Sequence, residues 1–302
     1  MKIQWYPGHM TKARRAMQED MKLVDLVIEL LDARAPGSSR NPDIDTLAKG
    51  KFRLVLLNKA DLADEQVTDA WKEYFKSAGI RAVPLDSRTT GAVREIRKII
   101  PEICREKIER DRKRGILNRP IRAMVCGIPN VGKSTFINSF AGRAAAKTGN
   151  KPGVTRGNQW IRLDKNVELL DTPGILWPKF DDDLVGTNLA FLGSVSDDIV
   201  DKTGLAYELL MFLSDHYPDM LEKRYDLSVD NRNAEAEEEP ESGSETDDPD
   251  RARTRTLQLM EEIALHRNCL KKGGEPDLDR AALLILDDFR SGRLGRITLE
   301  KP

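Results

Sequence analysis

Up to Gly174 the chain alternates two kinds of apolar spacing. Nearly unbroken apolar runs lie at 23–34 ("LVDLVIELLDAR"), 51–59 ("KFRLVLLNK") and 80–86 ("IRAVPLD"), as expected of strands buried on both faces of a sheet. Between the second and third, "DEQVTDAWKEYFKSAG" has helical spacing and a glycine stop. "GAVREIRKIIPEICREKIERDRKRG" predicts a longer helix that Pro101 kinks or divides. "IRAMVCGIPN" then reads as a strand entering a glycine loop, "GKSTFINSFAG" as the helix after it, and "NQWIRLD" with "VELLDTPG" as a hairpin. This alternation predicts an α/β doubly wound sheet. Beyond Gly174, residues 183–225 and 253–291 keep helical spacing and no convincing strand. The expected division is an α/β domain over 1–180 and an all-helical domain over 181–302.

Composition adds an asymmetry. The 302 residues carry a formal net charge of −1, yet residues 234–250, "AEAEEEPESGSETDDPD", hold nine of the 50 acidic groups and no basic one. Without them, 49 basic groups face 41 acidic ones. The acidic run, bounded at 231–252, reads as a disordered insertion or linker. The remaining body is basic, most densely in "REKIERDRKRGILNRPIR" (105–122). Such a basic helix is more often a solvated face than a nucleic-acid contact, and the excess charge of the whole body adds weight to a polyanionic partner. No run reaches the eighteen or so apolar residues of a membrane span. Nothing in "MKIQWYPGHMTKARR" suggests a secretory signal. Cys104, Cys126 and Cys269 form neither a disulfide framework nor a zinc pair, which fits a reducing cytoplasm.

"GIPNVGKS" (127–134) matches the phosphate loop GxxxxGK[ST], placed after a strand and before a helix. Its backbone amides, from Asn130 through Val131 and Gly132 to Thr135, would face phosphate oxygens at a helix N-terminus. Lys133 would reach the β- and γ-phosphates, and the Ser134 hydroxyl would ligate Mg²⁺. "DTPG" offers Asp171 to the metal, through water, and the Gly174 amide to the γ-phosphate. "KPGVT" offers Thr155 as a second hydroxyl on Mg²⁺. "NKAD" is either an ordinary turn or a guanine reader. In the second case the Asp61 carboxylate accepts from guanine N1–H and N2, Asn58 braces the loop and the Lys59 stem covers the base. Ser87, in "PLDSRTTGA", is the candidate to complete the base pocket, although Asp-Ser-Arg stands where Ser-Ala is usual.

The base-reading motifs precede the phosphate-reading ones. In a doubly wound sheet the ligand sits at the carboxyl ends of strands, whichever strand comes first. A circular permutation therefore preserves the pocket, and it makes the segment after "DTPG" lead into the helical domain.

With "WYPGHMTKARR", "LDARAP", "GIPNVGKSTFIN", "KPGVT", "DTPG" and "RSGRLGRITLE", the chain resembles the ribosome biogenesis GTPase A family, the YlqF-type permuted GTPases, over nearly its whole length. The resemblance implies GTP and GDP as ligands and GTP hydrolysis coupled to late assembly of the bacterial large (50S) ribosomal subunit. It also implies contact of the helical domain with ribosomal RNA, and neither membrane nor DNA as a partner. Ile175 stands where small GTPases carry a water-orienting glutamine, and the family pattern implies His9 as its replacement. Asn130 matches an asparagine that ligates K⁺ in related GTPases, or else it only braces the loop. His216 and His266 read as packing or RNA-facing residues. Two other readings stand beside this one. A small-subunit assembly GTPase would carry an OB-fold and a zinc module, and neither is legible here. A non-hydrolysing, GTP-dependent RNA-binding scaffold is compatible with the missing glutamine.

Overall fold

The computed structural model describes residues 8–117, 119–142, 159–163, 165–177, 180, 182–227 and 249–302. Thr155 and residues 231–248 of the acidic segment lie outside the described residues.

The chain forms two units, one of Met1–Ser196 with Thr298–Pro302 and one of Asp197–Ile297. The first holds a six-stranded sheet of order β3-β2-β1-β4-β6-β5. Its strands are β1 (Leu26–Asp32), β2 (Phe52–Asn58), β3 (Arg81–Leu85), β4 (Ile121–Cys126), β5 (Gln159–Arg162) and β6 (Val167–Asp171). Only β5 runs antiparallel to its neighbour. The chain builds outward from β1 through β2 to β3, then returns to place β4 on the other side of β1. That reversal creates a switch point between β1 and β4, where the carboxyl ends open a crevice for a ligand.

Every residue of β1 is buried, so the unbroken apolar run does mark a strand covered on both faces. On the face of Val27 and Leu31, helix α1 (Gly8–Met21) packs Met17 and Met21 against Val27, Met124 and Leu170. On the same face α3 (Glu65–Ser77) packs Trp71 and Phe75 against Leu31, Val55 and Leu57. Leu26, Ile28 and Leu30 point the other way and are equally inaccessible. The short α2 (Asp43–Leu47) lies between β1 and β2.

The expected long helix is two: α4 (Thr90–Ile103) and α5 (Arg105–Lys113). Pro101 is tolerated within α4, and the break falls at Cys104. Helix α6 (Lys133–Ala141) follows the phosphate loop, and β5 and β6 form the anticipated hairpin.

Helix α7 (Asp183–Phe191) belongs to the sheet-bearing unit, so the division falls after Ser196 and not after residue 180. The reason is bonding. Asn188 of α7 donates to Ser38 Oγ, and Ser194 Oγ donates to Pro129 O.

The second unit contains α8 (Lys202–His216), α9 (Pro218–Tyr225), α10 (Pro249–His266) and α11 (Leu278–Ser291). Asp201 and Asp277 cap α8 and α11 by accepting from backbone amides, which satisfies donors left free in a first turn. The inaccessible Asp288 carboxylate accepts from Arg224 at 2.8 and 3.0 Å and also from Arg293. The His216 ring stacks on Phe212 at 4.4 Å, a packing role.

Candidate functional site

Strand register sets the site. Asn58, last in β2, lies beside Asp32 of β1 and Leu85 of β3. Asp171, last in β6, lies beside Val125 of β4. All these ends share one edge of the sheet, and each is followed by a loop that carries a motif.

The phosphate loop leaves β4 at Gly127, whose φ of 151° and closeness to β1 admit only glycine. A Cβ there would lie 2.5 Å from Leu30 O. Asn130 and Gly132 are both left-handed, with φ of 58° and 101°. These turns bring the chain to the N-terminus of α6, the geometry that aims amides at an anion. Lys133 curls back over the loop and donates to Gly127 O at 3.1 Å and Ile128 O at 2.7 Å. Burial lowers its ammonium to about 8, with Asp171 opposing the shift. Burial likewise raises the Asp171 carboxyl to about 6, opposed by Lys133. Asp171 Oδ1 is buried and has no hydrogen-bond partner among the described residues. Ser134 and Thr135 lie in the first turn of α6. Gly174 stands against the loop so closely that a Cβ would come within 2.8 Å of Pro129 Cα and 2.9 Å of Lys133 Nζ.

The "NKAD" loop is bonded directly to this one. Asn58 Nδ2 donates to Val131 O at 2.7 Å, and Lys59 Nζ donates to Asn130 O at 3.0 Å. These bonds span 73 and 71 residues of sequence. They join the two motif groups that the chain presents in reversed order. Asn58 Oδ1 accepts from both the amide and the hydroxyl of Ser87, at 3.1 and 2.7 Å. Ser87 is buried, so its hydroxyl positions Asn58. Among the described residues Asp61 Oδ1 is buried without a partner, while Oδ2 accepts from Arg88 at 2.5 Å. An acceptor left open in this way suits a ligand bearing N–H donors.

Two features have no signal in the motifs. Arg88 covers one oxygen of Asp61, which a base read by that carboxylate would have to share. Asp32 and Arg34 form a buried ion pair with contacts of 2.9 Å, and Lys59 Nζ lies 2.8 Å from Asp32 Oδ2. Burial works against the charge on Asp32, but Arg34 and Lys59 hold its carboxyl well below the usual range. The pair thus fixes the Lys59 stem from behind. Asn130 Nδ2 donates to Gly193 O at 2.7 Å, so of its two readings bracing has a visible partner. The backbone of His9 lies in α1; its side chain is outside the described residues.

A GxxxxGK[ST] loop bonded to the "NKAD" loop, on a sheet wound in permuted order, defines the class: a circularly permuted P-loop GTPase. The family model described as 50S ribosome-binding GTPase matches residues 122–234. Ribosome biogenesis GTPase A of Bacillus cereus is 45% identical over 302 residues, covering 100% of this chain and 95% of its own length. The Thermotoga maritima protein of the same name is 31% identical, with 99% and 95% covered. The crystal structure of GNP-bound YlqF from T. maritima superimposes with a TM-score of 0.61 at 27% identity, over 96% of this chain and 98% of that one. A GDP-bound YlqF structure gives 0.61 at 26% identity, over 95% and 98%. The chain belongs to the ribosome biogenesis GTPase A family. It binds guanine nucleotides and hydrolyses GTP.

Proposed function

We propose that this GTPase binds an immature large ribosomal subunit in the cytoplasm through its RNA, hydrolyses GTP there, and leaves afterwards. The observation that carries the nucleotide half is the pair of bonds from Asn58 and Lys59 to the phosphate loop. Asp61 reads guanine, with Asn58, Lys59 and Ser87 holding the pocket. The loop from Asn130 to Thr135 cradles the phosphates with Lys133, and Gly174 reports the γ-phosphate.

Mg²⁺ fits the residues present. The buried, unpartnered Asp171 Oδ1 suits a cation, and Ser134 and Thr155 supply hydroxyls of the right kind. When bound, the ion neutralises charge developing on the phosphates. A potassium ion would have to share Asn130 with Gly193. His9 is proposed to orient the attacking water in place of the absent glutamine.

The two shifted groups predict a pH window. Below about 6 Asp171 must shed a proton before it can hold the metal. Above about 8 Lys133 must take one up before it can pair with phosphate. Titration with Mg²⁺–GTP should therefore give nearly constant affinity between the two values, with a decline on either side. Affinity that stays flat from pH 5 to 9 would remove both groups from the phosphate site.

For the partner, the support is charge without counter-charge. On α3 and α4 the exposed Lys72, Lys76 and Lys98 pair with Asp69, Glu73 and Glu95. At the end of α5, Arg112, Lys113 and Arg114 are exposed and make no side-chain hydrogen bond or ion pair among the described residues. Beside them Ile116 and Leu117 are 41% and 78% exposed. Three cations at a helix C-terminus complement its dipole, but that does not account for the exposed apolar pair. A phosphate backbone suits such a face, in addition to the contact proposed for the helical unit.

Sedimentation with large subunits should weaken steeply as salt rises. Replacing Arg112, Lys113 and Arg114 with alanine should flatten the slope of log affinity against log salt by about 2, as for three lost phosphate contacts. An unchanged slope would take α5 out of the interface.

A further inference from the structure

The last residues of the chain return to the GTPase unit and close against its site. Ile297 is the last residue of the helical unit, and Thr298 begins the returning strap. Leu299 N donates to Arg34 O at 2.7 Å, and Thr298 Oγ1 accepts from the amide of Asp64 at 2.9 Å. Asp64 caps α3, three residues beyond the guanine reader Asp61. Trp71 Nε1 donates to Glu300 O at 3.2 Å. Through Arg34 and Asp32 the strap is thus backed onto Lys59.

The Glu300 side chain faces another way. Its carboxylate accepts from Ser38 N at 2.7 Å, Ser38 Oγ at 2.5 Å and Asn188 Nδ2 at 3.3 Å. Asn188 also donates to Ser38 Oγ at 3.0 Å. Three donors converge on one group that can only accept, which a carboxylate satisfies and a neutral amide does not. Gly37 makes room for it, since a Cβ there would lie 3.0 Å from Glu300 Oε1 and 3.1 Å from the Trp71 ring.

Asn188 belongs to the limb that runs from Gly174 through α7 to Ser194. Its two ends touch the phosphate loop, while Ile175 also packs in the core against Met17 and Val27. Gly174 abuts Pro129 and Lys133, Gly193 O accepts from Asn130, and Ser194 Oγ donates to Pro129 O at 2.9 Å. The limb is therefore held at the phosphates by its ends and at the strap by its middle.

We propose that Glu300 is a positioning residue that ties the limb following Gly174 to the base-reading side of the site, so that nucleotide state is felt in the C-terminal strap. The proposal rests on the reading of Gly174 as the γ-phosphate reporter. A shift of the limb moves Asn188, and the shared carboxylate passes the shift to the residue through which the chain arrives from the helical unit. Strap and nucleotide then influence each other equally, as linkage requires.

The test is amide hydrogen exchange on the full-length protein with GDP or a non-hydrolysable GTP analogue, since exchange reads local opening directly. In the wild type the analogue should slow exchange at Leu299 and over 183–194 by about tenfold relative to GDP, a usual size for coupling. In Glu300→Gln the limb should keep its response while Leu299 loses it, and GDP affinity should stay within about twofold, because no base or phosphate contact is touched. Asn188→Ala, which removes the bond from the other side, should give the same signature should Glu300→Gln fail to fold. A double variant should be no worse than either single one. A strap that is merely structural would protect Leu299 alike in both nucleotides, and that result overturns the proposal. So does a nucleotide response at Leu299 that survives Glu300→Gln and Asn188→Ala. If residues 171–177 themselves fail to distinguish GDP from the analogue, the reading of Gly174 falls, and this inference falls with it.

Discussion

Gly132→Ala is expected to abolish useful guanine-nucleotide binding while leaving the sheet folded. Gly132 has a φ of 101°, and a Cβ there would lie 2.4 Å from Asn58 Nδ2. A non-glycine residue held in a sparsely populated region costs about 1–3 kcal/mol. The clash adds to this, because Asn58 would have to withdraw from Val131 O, 2.7 Å away. Leaving that buried pair unmade costs about 1–3 kcal/mol more. The combined loss of about 2–6 kcal/mol corresponds to at least about 30-fold in affinity. Titration with a fluorescent GDP, with thermal unfolding of the same variant as control, measures it. Affinity within threefold of wild type would mean that loop and base reader are not joined as described.

Asp61→Asn should fall chiefly on base discrimination. Asp61 presents one buried, unpartnered oxygen and one that Arg88 shares at 2.5 Å. The carboxylate offers two acceptors to guanine's two donors, whereas asparagine offers one acceptor and sets a donor against the other. GTP affinity should drop by about 2–3 kcal/mol, the range for hydrogen bonds to a charged group. ATP, which has no donors in that place, should bind as weakly as before. The ratio of GTP to ATP affinity is the quantity to measure, and an unchanged ratio would remove "NKAD" from the site.

Much of this site was legible because its chemistry is local. "GIPNVGKS", "DTPG" and "NKAD" each place the needed residue types within a few positions, and each follows an apolar run that forms a strand. Their reversed order could be resolved from sheet topology alone. Long-range partnerships were not legible. Asp32 and Arg34 sit at the end of an apolar run, where a buried charge looks like the exit of a strand. Only the fold shows that Lys59, 27 positions on, completes the cluster. Glu300 lies 262 positions from Ser38, and no local pattern encodes such a contact. Helix α7 was placed with the helical domain because its spacing is that of any buried helix. Its bonds to Ser38 and Glu300, and those of Gly193 and Ser194 to the phosphate loop, assign it to the GTPase unit. Helix α1 carries a weaker signal. Met17 and Met21, buried one turn apart, are separated by Gln18, Glu19 and Asp20, so the apolar face is hard to see against the charge around it.

The central claim is that a permuted guanine-nucleotide site serves assembly of the large ribosomal subunit. Its most direct test is the initial rate of GTP hydrolysis by the full-length protein, alone and with purified large or small subunits at one fixed salt concentration. The account predicts slow turnover for the free protein and for the small subunit, with acceleration of about tenfold or more by the large one, since an ordered water and docked partner are what phosphoryl transfer lacks here. Equal rates in all three conditions, or acceleration by the small subunit alone, would contradict it.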